Sequence, residues 1–171
     1  MDLLELIKTR RSIRKYLKKK IEKEKLLKIL EAAIWAPNSG NTQTWRFFVV
    51  SNNKVKLSLY KVSFYQRHII EAPIVIVVCF DMREMYSYYG DRGVTLYGIQ
   101  DTAAAIQNML LMAHYLGLGS CWVGTFDEDL VKKALKLPEY LRVVALITLG
   151  YPNEKPRSWR KDLKDVVKFI E

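Results

Sequence analysis

The sequence contains little cysteine and little histidine, and both scarcities narrow the possible functions. Its 171 residues include 2 Cys and 2 His. Cys79 and Cys121 lie in apolar segments without a CxxC motif, which disfavours a disulfide scaffold and a cysteine-based zinc site and indicates a reducing compartment. His68 and His114 are far apart and have no acidic neighbours at ligand spacing, which argues against a metal hydrolase.

Long apolar runs and low-complexity segments are also missing. The 5 Pro and 8 Gly are scattered, so collagen-like and low-complexity classes are excluded. The most apolar stretch, residues 73–80, is far shorter than the roughly 20 residues of a membrane-spanning helix. The first residues lack the basic and apolar parts of a signal peptide. We therefore expect a soluble, cytoplasmic protein with no membrane partner.

Composition predicts one globular domain, residues 1–171, with a strongly basic charge. Hydrophobic residues make up 50% of the chain and charged residues 27%, which argues against long disorder. The 28 basic and 18 acidic residues give a net charge of +10. Such a charge favours anionic partners, namely nucleic acid, an acidic membrane or a phosphate-bearing cofactor, without choosing among them.

Hydrophobic periodicity predicts a mixed arrangement of helices and strands around one sheet. The longest predicted helix, residues 99–116, is apolar on most faces and belongs in a core or an oligomer interface. Residues 82–97 have no clear period and are predicted to form a mobile excursion over a site. The tail, residues 155–171, is basic and then amphipathic. The other predicted helices are residues 2–8, 22–35, 53–60 and 127–137, and the predicted strands are residues 45–50, 74–80, 120–124 and 143–149.

A basic segment near the start is the first candidate for chemistry. Arg10, Arg11, Ser12 and Arg14 lie within five positions. Guanidinium groups bind phosphate in bidentate fashion, and a serine hydroxyl adds a hydrogen bond. The plainer interpretation is a solvated charge run. A nucleic-acid surface is a further interpretation, although no known nucleic-acid-binding motif supports it.

Two further segments could join the first. The turn at residues 37–45 carries short amide and hydroxyl side chains, which suit the polar edge of a flavin or simply bond the turn's own backbone. Trp45 within it is predicted to be a core residue. The cations of residues 155–161 could return to the anion held by Arg10 and Arg14, or form a frayed terminus in which Lys161 pairs with Asp162 or Asp165.

Five segments in order make the chain resemble a known family over nearly its whole length. They are residues 10–16, residues 36–47, Ala72-Pro73 before the buried strand, residues 100–124, and residues 149–152 with 160–163. In these segments the chain is similar to the short form of the nitroreductase family, the FMN-dependent NAD(P)H oxidoreductases. The resemblance implies an α+β fold, with a central, mainly antiparallel sheet covered by helices, and an intertwined homodimer whose core contains the helix of residues 99–116.

The resemblance also implies an FMN site shared between two subunits. The basic segment would hold the phosphate and ribityl chain, and the tail cations would complete this phosphate clamp. The turn of the other subunit would line the isoalloxazine ring, and backbone groups of a strand would pass its other face. The cofactor-binding residues implied are Arg10, Arg11, Ser12 and Arg14; Arg160 and Lys161; Pro37, Asn38, Ser39, Asn41 and Gln43; and Trp122, Val123 and Gly124.

The implied reaction is ping-pong transfer of hydride from NADH or NADPH through FMN to a small acceptor such as a nitroaromatic or a quinone. No catalytic acid or base and no metal is assigned. The tyrosines of residues 86–97 would stack on a planar acceptor or are simple surface residues. Two alternatives stay open: a specialised flavin enzyme of the same fold, dehalogenase-like or flavin-modifying, with another donor, and a non-enzymatic basic nucleic-acid-binding module.

The chain departs from the family pattern in two places. Thr44 stands where many relatives have Pro, and Asn38 stands where they have Ser. Residues 61–71 do not clearly offer the Asn and Lys that longer relatives use against the flavin, and Gln66 and His68 are the candidates to replace them.

Overall fold

One four-stranded sheet forms the centre of the computed structural model, which describes residues 2–171. The strands lie in the order β1-β2-β4-β3, and every neighbouring pair is antiparallel. The predicted α+β class with a mainly antiparallel sheet is therefore confirmed. The strands are β1 Trp45–Val50, β2 Ile74–Asp81, β3 Gly119–Val123 and β4 Leu141–Gly150.

Helices cover both faces of this sheet, and their ends follow local capping chemistry. The side chain of Asn52 accepts hydrogen bonds from the first turn of α3, and Asp127 does the same for α7. The last of these helices stops at Leu135, two residues before the predicted end, because Lys136 adopts a left-handed φ of 54°. The helices are α1 Leu3–Thr9, α2 Lys23–Ile34, α3 Asn53–Val62, α4 His68–Glu71, α5 Met82–Arg92, α6 Gly98–Tyr115 and α7 Glu128–Leu135.

Strand β2 is buried along its whole length because it separates two hydrophobic cores. Ile76 and Val78 face the core formed with α2 and α6, whereas Val75 and Val77 face the core formed with α3 and α7. This alternation follows from the two-residue period of a strand. Trp45 is buried in the first core, as predicted.

The long apolar helix α6 packs inside its own subunit. Ile106 is fully buried and Leu110 is 5% exposed, in the core that α6 forms with α2 and the sheet. Helix α6 lacks a polar face because α2 and the sheet of the same chain cover it. Its apolar character therefore does not by itself indicate a dimer interface. Gly117, with φ of 76°, follows the end of α6 in the left-handed conformation that glycine favours.

Residues 82–97 are helical rather than the mobile excursion that their missing period predicts. Asp81 caps α5 by accepting from the backbone N–H groups of Arg83 and Glu84. A π-helical turn, Gly93–Tyr97, then leads into α6. The sequence of α5 shows no helical period because Met85 is the residue that the helix buries. The other side chains of α5 can therefore be polar or aromatic.

The tail also differs from expectation. In residues 155–171 the structure has one 3₁₀ turn, Leu163–Asp165, and the apolar side chains beyond it are exposed. The predicted amphipathic segment therefore has no face to pack against within the subunit. No helix within residues 2–171 combines the length and apolarity needed to cross a bilayer.

Candidate functional site

The basic segment lies against the edge of the sheet. Strand β3 is an edge strand, and the backbone N–H of Ile13 donates to the carbonyl of Ser120 at 2.9 Å. The approach is close because Gly119 has no side chain: a Cβ there would lie 2.8 Å from the side chain of Ile13. The sheet edge therefore fixes the backbone that carries the arginines.

Gly119→Ala is expected to lower the free energy of unfolding by about 1–3 kcal/mol, because the new methyl group overpacks the buried Ile13. Chemical denaturation measures this change. The matched control is Gly124→Ala, since a Cβ at Gly124 meets nothing within 4 Å. Equal stability of the two variants would contradict the close approach.

Tyr16 holds the other end of the basic segment. Its buried hydroxyl donates to the carbonyl of Ile13 at 2.6 Å and lies 2.8 Å from the hydroxyl of Thr148 in β4. Burial raises the pKa of Tyr16, so the phenol stays protonated and remains a donor. The segment is thus held to the sheet at Ile13 and at Tyr16.

The tail returns to this segment and closes a cavity of about 320 Å³. Arg160 lines it together with Arg10 and Arg14, and its Nη1 donates to Ser158 Oγ at 2.7 Å. Lys161 does not line it, and the ion pair within residues 161–165 of the tail joins Lys164, not Lys161, to Asp162 at 4.0 Å. The lining residues are Arg10, Arg11, Ser12, Arg14, Pro156, Arg157, Ser158 and Arg160.

This arginine cavity concentrates positive charge. Burial, then the charges of Arg160 and Arg11, lower the pKa of Arg10. A guanidinium stays charged in proteins nonetheless, so the cations repel one another. An anion between them would relieve that repulsion and accept bidentate hydrogen bonds. The cavity therefore has the chemistry of a phosphate site. Arg157, one of the tail cations expected there, also lines it, and so does Ser158, which was given no role from the sequence.

The predicted backbone contacts of residues 122–124 lie farther along the same sheet edge. The carbonyl of Ser120 points outward from the sheet, because it accepts from Ile13. Trp122 is two residues on, so its N–H and C=O turn to the same outer side. Its side chain is 40% exposed, whereas Val123 is buried. Polar backbone groups therefore continue along the edge beyond the arginine cavity.

The turn that carries the predicted ring-lining residues forms a second group, the 37–43 loop. Asn38 Oδ1 accepts from the N–H of Gln43 at 2.9 Å, and Gln43 Nε2 donates to Asn41 Oδ1 at 3.2 Å. Ser39 instead bonds outside the loop, to Asp101 in α6. Pro37 has an exposed side chain. The loop thus bonds its own backbone, as the plainer interpretation predicts, and Ser39 attaches it to α6.

The 37–43 loop and the arginine cavity do not meet within one chain. No residue of the loop lines that cavity or the two cavities that adjoin it around Arg10 and Arg11. The loop packs instead against α6 and α5, where the hydroxyl of Tyr89 lies over Gly40. The predicted cofactor residues therefore fall into two separate groups in the subunit.

The two candidates for the missing flavin-edge contacts have different surroundings. Gln66 Nε2 donates to the carbonyls of Ser63 at 3.0 Å and Thr125 at 2.9 Å, so its amide nitrogen is engaged within the protein. His68 is buried and lines a cavity that includes Arg14. Burial and the charge of Arg14 lower its pKa, which favours the neutral imidazole.

Comparison with known proteins agrees with this architecture. A protein of Methanothermobacter thermautotrophicus, provisionally named NADH dehydrogenase/NAD(P)H nitroreductase, is 38% identical, with 96% of this chain and 84% of the relative covered. The FMN-dependent nitroreductase of Clostridium difficile R20291 superposes with a TM-score of 0.85 at 30% identity, covering 99% of each chain.

The chain also superposes on the NADPH:FMN oxidoreductase of Vibrio harveyi, which was solved in complex with NAD⁺. The TM-score is 0.89 at 27% identity, and the match covers 98% of this chain and 76% of the other. The family model described as "Nitroreductase family" matches residues 7–65 and 56–151, which include the basic segment, the 37–43 loop and the whole sheet. The resemblance inferred from the sequence is thereby confirmed, and the chain belongs to the nitroreductase family.

Proposed function

We propose that this chain is an FMN-dependent oxidoreductase that uses NADH or NADPH to reduce a small acceptor such as a nitroaromatic or a quinone. The observation that carries the proposal is the arginine cavity, which is formed by residues from both ends of the chain. The chain's membership of the nitroreductase family gives this cavity its meaning as a cofactor site. The names of the relatives, which include an FMN-dependent nitroreductase and an NADPH:FMN oxidoreductase, support it.

The residues present fit a bound FMN. Arg10, Arg14 and Arg160 would hold the phosphate dianion through charge-assisted hydrogen bonds, and Ser12 would add a neutral one. The outward backbone groups of Trp122 would face polar atoms of the cofactor. When bound, FMN supplies the redox chemistry, accepting hydride from the nicotinamide and passing it to the acceptor in a ping-pong cycle. The protein binds and orients these partners and excludes water, and no side chain is assigned as a catalytic acid or base.

The working unit would be a homodimer. Since the 37–43 loop does not reach the arginine cavity of its own chain, a second copy would bring its loop to that cavity. Apolar side chains of α1, of α2 and of the residue that follows α2 also stay exposed in one subunit, as a partner surface requires. They are Leu3, Leu4, Ile7, Ile34 and Trp35.

The acceptor would lie near α5. Tyr86 and Tyr88 are 58% and 62% exposed on this helix, and Tyr89 reaches the 37–43 loop. Exposed aromatic rings beside the loop would stack on a planar acceptor. The identity of that acceptor, a location in the cytoplasm and the absence of nucleic-acid binding stay predictions.

A spectroscopic experiment tests the function. The purified protein is expected to be yellow, to release FMN on denaturation, and to bleach when NADH or NADPH is added. A nitroaromatic or a quinone should then restore the colour. A protein that bleaches without passing electrons to either acceptor would favour the specialised flavin enzyme. A colourless protein that ignores added FMN and shifts the mobility of DNA or RNA would favour the nucleic-acid-binding module.

A further inference from the structure

Asp101 has no role in the site described so far, yet it holds the 37–43 loop. We propose that Asp101 is a positioning residue whose carboxylate fixes the loop conformation that presents Ser39 and Asn41 to FMN. The inference rests on the proposed function, because the loop has no flavin to meet otherwise.

One oxygen of the carboxylate accepts two hydrogen bonds from a single loop residue. Asp101 Oδ1 accepts from the backbone N–H of Ser39 at 3.0 Å and from its hydroxyl at 2.9 Å. The residue is 5% exposed, and its Oδ2 is buried without a hydrogen-bond partner within residues 2–171. Removal of the carboxylate would leave both donors of Ser39 without this acceptor.

The loop needs such an anchor because its backbone is unusual. Gly40, Asn41 and Gln43 have φ values of 53°, 58° and 52°. This left-handed region is unfavourable for most residues with a side chain, although Asn tolerates it, so Gln43 holds it only where the surroundings impose it. The bonds among Asn38, Asn41 and Gln43 shape the loop from within and do not attach it to the helices.

Asp101 lies near the start of α6, directly after the π-helical turn that leads into this helix. Both of its bonds to Ser39 end on the same carboxylate oxygen. An amide at this position would keep an oxygen acceptor for Ser39 but would replace the second carboxylate oxygen by a hydrogen-bond donor.

The test compares three variants by titration with FMN, followed through flavin fluorescence, and by thermal unfolding. Asp101→Ala should lower the affinity for FMN at least tenfold, and Asp101→Asn should restore part of the loss. Asp127→Ala, which removes a helix cap far along the chain, is the control for general destabilisation and should leave the affinity within twofold of wild type. An Asp101→Ala protein with unchanged affinity would overturn the proposal.

Mixing subunits separates a positioning role from a general loss of structure. Asp101→Ala subunits mixed with Arg10→Ala subunits give heterodimers in which one site has both changes and the other has neither. Half of the sites in these heterodimers should then bind FMN with wild-type affinity. Absence of such sites would show that the loop does not act across the interface.

Hydrogen exchange distinguishes this inference from the proposed function. Asp101→Ala should speed amide exchange in residues 38–43 and leave exchange in α7 unchanged, whether or not flavin is present. Wild-type protein that ignores FMN would refute the proposed function and with it the presentation to FMN. Unchanged exchange in the loop would refute the anchor itself.

Discussion

Replacing Arg10 by alanine should lower the affinity for FMN by about 10- to 150-fold. The side chain is half-buried and lines the arginine cavity. A charge-assisted hydrogen bond contributes about 1.5–3 kcal/mol, and 1.4 kcal/mol corresponds to a tenfold change in affinity. Arg160→Ala should act in the same direction with a smaller effect, because Arg160 is exposed and solvent screens its charge. Isothermal titration calorimetry measures both.

Arg142→Ala is the matched control for Arg10→Ala. It removes the same charge from the start of β4, where Arg142 pairs with Glu128 at 3.1 Å, outside the arginine cavity. Its affinity for FMN should be close to wild type. The affinity for riboflavin, which lacks the phosphate, should fall much less than that for FMN in Arg10→Ala. An equal loss for the two ligands would show that Arg10 does not bind the phosphate.

Replacing Ile106 by aspartate should prevent stable folding. Ile106 is fully buried between α2 and the sheet, and an unpaired charge in a core destabilises by more than about 4 kcal/mol. Typical domains are stable by about 5–15 kcal/mol, so most of the stability would be lost. Circular dichroism and thermal unfolding measure the effect. A cooperative unfolding transition near that of wild type would contradict the assignment of α6 to the subunit core.

Ile99→Asp is the matched control, with the same substitution on the same helix. Ile99 is 39% exposed, so the subunit should still fold. If α6 also contributes to a dimer, as the resemblance implies, its exposed side is the place where a charge would interfere. Sedimentation should then show a wild-type dimer and a folded Ile99→Asp monomer. A monomeric wild-type protein would refute the dimer.

Elements set by local chemistry could be predicted from the sequence. The run of β-branched residues 74–80 indicated a strand buried on both faces, and β2 is such a strand. A short polar side chain before an apolar periodic segment can bond the first turn of a helix, which indicated Asn52 or Asn53 and Asp127 as caps. In the structure Asn52 and Asp127 are the capping residues. Arg10 and Arg160 are separated by most of the chain. Their expected meeting at one anion therefore depended on the family resemblance, which rests on the order of the segments.

Features that depend on packing could not be predicted in the same way. Helix α5 buries Met85 alone, so its sequence carries no helical period. The apolar face of α6 was compatible with a core or an interface, and only its contacts with α2 and the sheet show that the subunit itself buries it. Asp101 lies in one of the segments that carry the resemblance, but its contact could not be predicted, because its partner Ser39 lies in a distant segment.

The strands, the capped helices, the excess of positive charge and the family could be read from the amino-acid order, because they depend on neighbouring residues and on the succession of motifs. Which distant groups share a site depends on how the chain folds in space. The fold placed the tail beside Arg10, brought Ile13 onto Gly119 and set Asp101 under the 37–43 loop. The physical reason is that hydrogen bonds and ion pairs act over a few ångströms in space, and a linear sequence does not record those distances.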